Sequence, residues 1–596
     1  MSAPVATTES AHSQPAAFPT PSPWLYGPGR DVFFGYGLAC LLSVPLYAWY
    51  FLVEGHSDAP IWLGLLMAIL IIKPHFGATI LRAYERREDR RRYAIFTVWV
   101  TLAFFPLFIG SLHSAWLGSI LVTLYVSWTP WHFSGQNYGV GVMYLRRRGI
   151  PIDGSVKRAF YATFVLSAIL AVLSIHMVTS SLVYSGGVTN ASSIGVIQLG
   201  VPLESGAVLG GLLGIGWLGC LGFVARHLLG RAPAAALLPI GLLVLLQSLW
   251  FVVPALALTT RIFSLPPEYS LPFFAVWTSA FHSTQYLWIT SYYARRSNPD
   301  RGGAVYLGRA VLVGAALVSP AVLFAPGLLG EFVPNGAHVP LLVLALMNLH
   351  HFVLDGAIWK LRDGRVARVL LRSEGSASAQ GSRGLAWAGG LALGLAGSVA
   401  LLVQLYSLLL TTVVSRPGVE VAALHDATVQ LAWLGKASPS HWARLARRWE
   451  VAGEPNRAVA AYARYFEKNR EPDPGHAERA LRLILAEKNG QPAMLRRAEG
   501  LARYLASRQA GRSSDGEELV AAVAAARGHG SAAVDAAERA LEIARSRDDA
   551  TAVARIQRKL SSYRRAAGTP AVGAGPRASS ALTAAGTAVR SGRPRP

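Results

Sequence analysis

The chain has 596 residues, of which 52% are hydrophobic and 15% are charged, whereas a soluble domain carries about a quarter charged residues. Apolar stretches of about 20 or more residues recur before residue 415, each long enough to cross a ~30 Å hydrocarbon core, which excludes a wholly soluble protein. The formal charge of +23 does not indicate nucleic-acid binding, because much of it lies in short loops between apolar stretches, where basic residues set membrane topology.

The pattern predicts an all-α protein. It consists of a disordered arm (residues 1–29), a transmembrane helix bundle (30–415), a helical-repeat domain (416–565) and a disordered tail (566–596). The arm lacks the pattern of a cleavable signal peptide. Cys40 and Cys220 lie in separate apolar segments and form neither a disulfide framework nor a CxxC metal motif. We expect eleven membrane helices, near residues 32–53, 61–82, 93–112, 115–143, 159–183, 205–228, 233–258, 271–293, 304–328, 337–360 and 384–412.

Lysine and arginine concentrate in every second loop between these helices. The loop "RAYERREDRRR" follows the second helix and "RRRGIPIDGSVKR" follows the fourth, whereas alternate loops such as "VEGHSDAP" are nearly free of positive charge. The positive-inside rule places the basic loops and the N-terminus in the cytosol. We therefore expect a bacterial inner-membrane protein, and the odd helix count predicts that the chain after about residue 415 is periplasmic.

Four predicted helices carry histidines inside otherwise apolar runs. The motifs are "KPHFGATILR" with His75, "WTPWHFSGQNYGVG" with His132 and Gln136, "WTSAFHSTQYLW" with His282, Gln285 and Tyr286, and "NLHHFVLDGAIWKLR" with Asn348, His350, His351 and Asp355. All four helices run from outside to inside, and each motif precedes the first cytosolic base by roughly 10 to 21 Å of helix. The four motifs are therefore predicted to lie in the cytosolic half of the bilayer.

These residues predict a shared metal site. A single histidine in a membrane helix usually makes a helix–helix hydrogen bond, but four motifs at matched depth favour convergence. Asp355 lies four residues after His351 and shares its helix face, and histidine with carboxylate is a common donor set for divalent metals. The predicted ligands are His75, His132, His282, His351 and Asp355, with His350 as a ligand or as support for one. Gln136, Gln285, Tyr286 and Asn348 are predicted to support the ligands.

The sequence after residue 415 changes to polar, amphipathic helices. "HWARLARRWEVAGEPNRAVAAYARYF" resembles the tetratricopeptide repeat, with Trp442, Leu445, Trp449, Gly453, Ala458 and Tyr462 at the pattern positions. A generic Ala-rich array of helical hairpins is the alternative. Either array presents a face to a protein partner.

Several common catalytic motifs are missing from the sequence. It contains no HExxH, GxSxG or Walker motif, so neither a zinc metalloprotease, a serine hydrolase nor a nucleotide-driven transporter is indicated. Imidazole with carboxylate suits iron, and open positions on such iron allow oxygen activation. We expect non-haem iron, with another divalent metal or haem left open, and a lipid-like substrate that enters from the bilayer.

The order of motifs resembles the Brp/Blh-type membrane carotenoid dioxygenases, which carry "PHG", "WHFG"-like and "HSxxH" motifs. The matching pieces are "PHFG" at 74–77, "WHFSG" at 131–135 and "FHSTQY" at 281–286, where Tyr286 stands in place of the last family histidine. The bundle resembles the histidine-box desaturases and hydroxylases more loosely. These resemblances imply iron-dependent oxidation, hydroxylation or cleavage of a lipid or isoprenoid.

Three alternative functions remain open at this point. A haem-binding electron carrier would use two facing histidines as axial ligands. A lipid-linked glycosyltransferase would need an exterior acid, for which Glu54 and Asp58 are candidates. A structural scaffold would only present the exterior repeats.

Overall fold

The computed structural model of the protein describes residues 22–52, 63–64, 66–84, 87–177, 194–260, 267–297, 302–323, 338–360, 364–372, 383–468, 473–486, 492–509 and 513–568. Regular structure in these ranges is helical, apart from one isolated parallel bridge between Met177 and Val201. The prediction of an all-α chain is confirmed. The chain divides into two compact units, Met1–Val419 with Val429–Lys436 and Glu420–Thr428 with Ala437–Pro596.

The helices of the first unit run from α1 to α13. They are α1 Leu38–Leu52, α2 Lys73–Tyr84, α3 Val100–His113, α4 Ala115–Arg147, α5 Gly154–His176, α6 Leu203–Leu229, α7 Ala234–Gln247, α8 Val253–Thr260, α9 Pro267–Ser297, α10 Gly303–Leu323, α11 Val339–Ile358, α12 Gly364–Arg372 and α13 Arg383–Ser415. Short π-helical segments at Ala68–Ile72 and Ile95–Trp99 lead into α2 and α3, and a third at Ser248–Val252 joins α7 to α8. Shorter helical pieces lie at Pro28–Arg30, Asp31–Gly35 and Arg87–Arg92.

Six described helices are long and apolar enough to cross a membrane. They are Ile95–His113, Gly154–His176, Leu203–Leu229, Ala234–Ala257, Val339–Ile358 and Gly389–Ser415. This number of spans identifies a membrane protein, whereas the finer count of eleven stays a prediction. Helix α4, although 33 residues long, is not among the six, because its histidine motif and its tryptophans lower its mean hydropathy.

Close helix packing positions the first histidine motif. Helix α2 packs against α10, and a Cβ atom on Gly77 would collide with the backbone carbonyl of Ala310. A Cβ atom on Gly314 would collide in the same way with the carbonyl of Lys73. Glycine at both positions lets the two backbones touch, which places His75, between Lys73 and Gly77, in the interior of the unit.

The segment before α1 packs onto the bundle. Asp31 is fully buried and accepts hydrogen bonds from the Leu25 amide and from the indole N–H of Trp288 at 2.9 Å. The predicted disordered arm extends to residue 29, but the structure describes residues 22–29, and the Asp31 carboxylate holds this segment in place. The rest of the predicted arm, residues 1–21, lies outside the described residues.

The second unit is a chain of helices that pack in sequence order. After α14 Val421–Trp433, whose residues are divided between the units, come α15 Pro439–Val451, α16 Pro455–Lys468, α17 Pro474–Ala486, α18 Pro492–Gln509, α19 Asp515–Ala526, α20 Gly530–Ser546 and α21 Ala550–Ala566. Each helix from α15 onward packs on the next. Five of the six predicted repeat residues are buried, and Gly453 turns the chain with a φ of 76°. The assignment as tetratricopeptide repeats stays a prediction.

Candidate metal centre

Four histidines from four different helices meet inside the first unit. One potential ligand atom from each side chain lies within 4.8 Å of the corresponding atom of every other. The residues are His75 on α2, His132 on α4, His282 on α9 and His351 on α11. We call them the four-histidine cluster.

The size of the four-histidine cluster suits one metal ion. Histidine nitrogens bind zinc at about 2.0–2.1 Å, so nitrogens on opposite sides of one ion lie about 4 Å apart. The upper limit of 4.8 Å in the cluster exceeds this by an amount that small side-chain rotations close. The four side chains converge on one point rather than on two.

The nitrogens of the cluster are available as ligands. The Nε2 atoms of all four imidazoles are buried, and none has a hydrogen-bond partner among the described residues. A buried polar atom without a partner costs about 1–3 kcal/mol, and such atoms are rare in folded proteins. A bound cation would take one nitrogen from each of the four rings as a ligand, which is the reason for considering a metal here.

Two phenylalanines hold imidazole rings of the cluster from behind. The Phe133 ring stacks on His282 with centroids 3.8 Å apart and planes within 10°. The Phe352 ring stacks on His132 at 4.3 Å with an angle of 26°. Each phenylalanine follows a cluster histidine directly in sequence, but it contacts a histidine of another helix. The rings therefore join helices and keep the wall of the cluster apolar.

Asp355 adds a carboxylate at the edge of the cluster. Its Oδ2 atom lies 3.4 Å from Nε2 of His351 and 3.9 Å from Nε2 of His132. Its Oδ1 atom accepts a hydrogen bond from the Tyr286 hydroxyl at 2.8 Å. The i, i+4 spacing of His351 and Asp355 thus brings both toward the same side of the helix, where Oδ2 lies beside two of the four imidazoles.

Thr79 and Trp359 complete this arrangement, and the sequence analysis did not identify either as part of the site. The Thr79 hydroxyl lies 2.7 Å from the Tyr286 hydroxyl and 2.9 Å from Nδ1 of His351. The Trp359 indole donates to the Tyr286 oxygen at 3.1 Å. Thr79 lies one helical turn after His75, and this i, i+4 relation is the sequence signal that could have identified it.

The two glutamines of the motifs connect helices rather than touch the imidazoles. The Gln136 amide donates to the backbone carbonyl of His282 at 3.2 Å and to Oε1 of Gln285 at 2.6 Å. Gln285 in turn donates to the carbonyl of Gly35 at 2.7 Å. They hold α4 against α9, and so set the separation of His132 and His282.

Two other predicted residues lie away from the cluster. Nε2 of His350 is 2.7 Å from the Thr101 hydroxyl on α3. The Asn348 amide donates to the carbonyl of Leu344 on its own helix at 2.8 Å. The position of His350 follows from the helical repeat, because adjacent residues point about 100° apart.

The fold and the site together define a helical, multi-span membrane protein with four histidines able to hold a metal ion. No protein-family model matches the chain, and neither a curated protein nor a solved structure matches it.

Proposed function

We propose that this chain is a membrane metalloenzyme that holds one non-haem iron ion in the four-histidine cluster and oxidises, hydroxylates or cleaves a lipid or isoprenoid. The observation that carries the proposal is the convergence of four imidazoles from four helices, whose buried Nε2 atoms have no hydrogen-bond partner among the described residues. Imidazole and carboxylate donors suit iron. When bound, the iron supplies oxygen activation.

The number of imidazoles favours a non-haem ion over haem. The porphyrin of a haem provides four nitrogen ligands itself and leaves only two axial positions for side chains. Four imidazole nitrogens within 4.8 Å of each other leave no space for a macrocycle between them. This argument favours a non-haem metalloenzyme over the electron-carrier alternative. The acids of the glycosyltransferase alternative, Glu54 and Asp58, lie outside the described residues.

The surroundings of the cluster support an apolar substrate. Phe133 and Phe352 cover two of the imidazoles. His132 is the least buried of the four, and its neighbours Trp131 and Gly135 on α4 are exposed. A hydrophobic molecule that enters from the acyl chains would reach the site beside these residues.

In the proposed enzyme, Asp355 acts beside the metal, and Tyr286 holds this carboxylate in place. The carboxylate faces the cluster with Oδ2 and is held through Oδ1 by the Tyr286 hydroxyl. It can bind the ion directly, or accept a proton released from a substrate or from water beside it. Tyr286 also lies edge-on to His75 with ring centroids 4.7 Å apart, and so excludes water from that side.

We also propose a membrane and an orientation for the chain. The chain would lie in a bacterial inner membrane with its N-terminus in the cytosol and the site in the cytosolic half of the bilayer. The second unit would be periplasmic, with tetratricopeptide-like helices that bind a protein partner. Basic residues in alternate loops support this orientation.

The first test is the metal content of the detergent-purified full chain. We expect about one equivalent of iron in the wild type, no Soret band, and loss of the iron in His282→Ala and His351→Ala. Oxygen uptake should follow addition of a polyene lipid to the iron-loaded wild type but not to these variants. Equal iron in all three proteins, or a Soret band, would overturn the proposal.

A further inference from the structure

The hydroxyl of Thr79 lies at the centre of a hydrogen-bond network behind the four-histidine cluster. It is within reach of the Tyr286 oxygen at 2.7 Å, of Oδ1 of Asp355 at 3.3 Å and of Nδ1 of His351 at 2.9 Å. Thr79 is 1% exposed, so water does not compete for these contacts. A hydroxyl has one proton to donate, so Thr79 can donate a hydrogen bond to only one of these partners.

Counting protons along the network assigns the direction of each bond. The Tyr286 hydroxyl gives its proton to Oδ1 of Asp355 at 2.8 Å, which leaves the Tyr286 oxygen as an acceptor. Thr79 donates to that oxygen, its shortest contact at 2.7 Å. Thr79 also lies 3.3 Å from Oδ1 of Asp355 and from the backbone carbonyl of His75, but a proton given to Tyr286 leaves none for these two acceptors. The contact between Thr79 Oγ1 and Nδ1 of His351 at 2.9 Å then requires Nδ1 to carry the hydrogen.

The other tautomer of His351 does not fit its surroundings. It would place a hydrogen on Nε2, where the nearest acceptor is Oδ2 of Asp355 at 3.4 Å. Nε2 makes no hydrogen bond with acceptable geometry to any described residue. With the hydrogen on Nδ1, the lone pair of Nε2 points into the cluster, as a metal ligand requires.

We propose that Thr79 is a positioning residue that fixes His351 in the tautomer with a free Nε2 and, through Tyr286, holds Asp355 toward the same ion. This inference rests on the proposed function, because it assigns a role toward the metal of that site. Thr79 itself does not touch the metal. Partners of this kind usually change metal affinity by about 10–100-fold when they are removed.

The test uses Co(II) as the probe, bound to detergent-purified full-length protein from which other metal has been removed. Thr79→Val keeps the shape and removes the hydroxyl, whereas Thr79→Ser keeps the hydroxyl. Thr163→Val is the matched control, because Thr163 is equally buried and, among the described residues, its hydroxyl bonds the carbonyl of Ala159 on its own helix. Tyr286→Phe is a second, independent way to break the network.

We expect Thr79→Val and Tyr286→Phe to bind Co(II) about 10–100-fold more weakly and to alter its visible ligand-field spectrum. Thr79→Ser and Thr163→Val should match the wild type in both measurements. Wild-type affinity and spectrum in Thr79→Val, or in Tyr286→Phe if Thr79→Val does not fold, would overturn this inference and leave the metal site intact. No Co(II) binding by the wild type would overturn the proposed function and this inference with it.

Discussion

His350 and His351 are neighbours in sequence but face different helices. Nε2 of His350 lies 2.7 Å from the hydroxyl of Thr101, whereas His351 contributes to the four-histidine cluster, with its ring centroid 4.1 Å from that of His75. This pair provides the sharpest internal control that the chain offers, since one substitution should remove a ligand and the other should not.

We predict that His350→Ala leaves the metal content of the purified protein unchanged. The substitution removes the hydrogen bond to Thr101 on α3, for which a cost of about 1 kcal/mol is typical, but no ligand atom of the cluster. Metal analysis beside His351→Ala and a thermal unfolding curve would check both parts. Iron loss in His350→Ala equal to that in His351→Ala would contradict the assignment of ligands.

We predict that Asp355→Asn weakens metal binding by about 10-fold or more, in the range typical of residues beside a metal ligand. The amide keeps the shape and can still accept the Tyr286 hydroxyl through its oxygen, but it lacks the negative charge beside Nε2 of His351. A competition titration with a chelator of known affinity would measure the change. An unchanged dissociation constant would show that the carboxylate serves only the hydrogen bonds.

We predict that Gly314→Ala destabilises the protein by roughly 1–3 kcal/mol, the usual cost of forcing extra volume into a packed interior. The new Cβ would press on the carbonyl of Lys73 and push α2 away from α10. Since His75 is on α2, metal binding should weaken as well.

Gly308→Ala is the control for this substitution. It lies on the same helix, and a Cβ atom there meets no atom within 4 Å. Thermal unfolding in detergent and metal content should distinguish the two variants. If Gly308→Ala and Gly314→Ala behave alike, the close approach of α2 and α10 is not what positions His75.

We predict a pH-dependent helix start in the second unit. Ser438 and His441 form a capping box at α15, in which the Ser438 amide donates to Nδ1 of His441 at 3.3 Å. Burial, and then the nearby charge of Arg444, lower the pKa of His441. The folded-state pKa of His441 therefore lies below the unfolded value of about 6.5. The stability that the neutral imidazole gives to the helix start is complete above about pH 6.5, and it is lost as the pH falls through the folded-state pKa.

The expected loss is about 1 kcal/mol, the usual contribution of a helix cap. Hydrogen exchange of the first turn of α15 at pH 7.5 and pH 5, corrected for intrinsic exchange rates, would measure it. His441→Gln is the control, because glutamine at this position of a capping box keeps an acceptor that does not titrate. Equal pH dependence in both proteins would show that His441 is not responsible.

The sequence was sufficient to recognise apolar helices and the polar motifs within them. An 18-residue apolar run can bury its backbone only as a helix in lipid, so helical structure follows from composition. The i, i+4 spacing of His351 and Asp355 follows from the helical repeat alone. For the same reason, His75, His132, His282 and His351 were identifiable as interior residues before any contact between helices was known.

Only the tertiary structure decided which side chains meet. Periodicity within one helix does not reveal which neighbour its polar face contacts, so the choice between His350 and His351 came from where α3 and α2 pack against α11. Thr79 was not predicted as part of the site, because a threonine in a membrane helix commonly bonds its own backbone. Its contacts with Tyr286 and His351 join residues 207 and 272 positions apart in the chain, and packing between helices, which no local pattern encodes, brings them together.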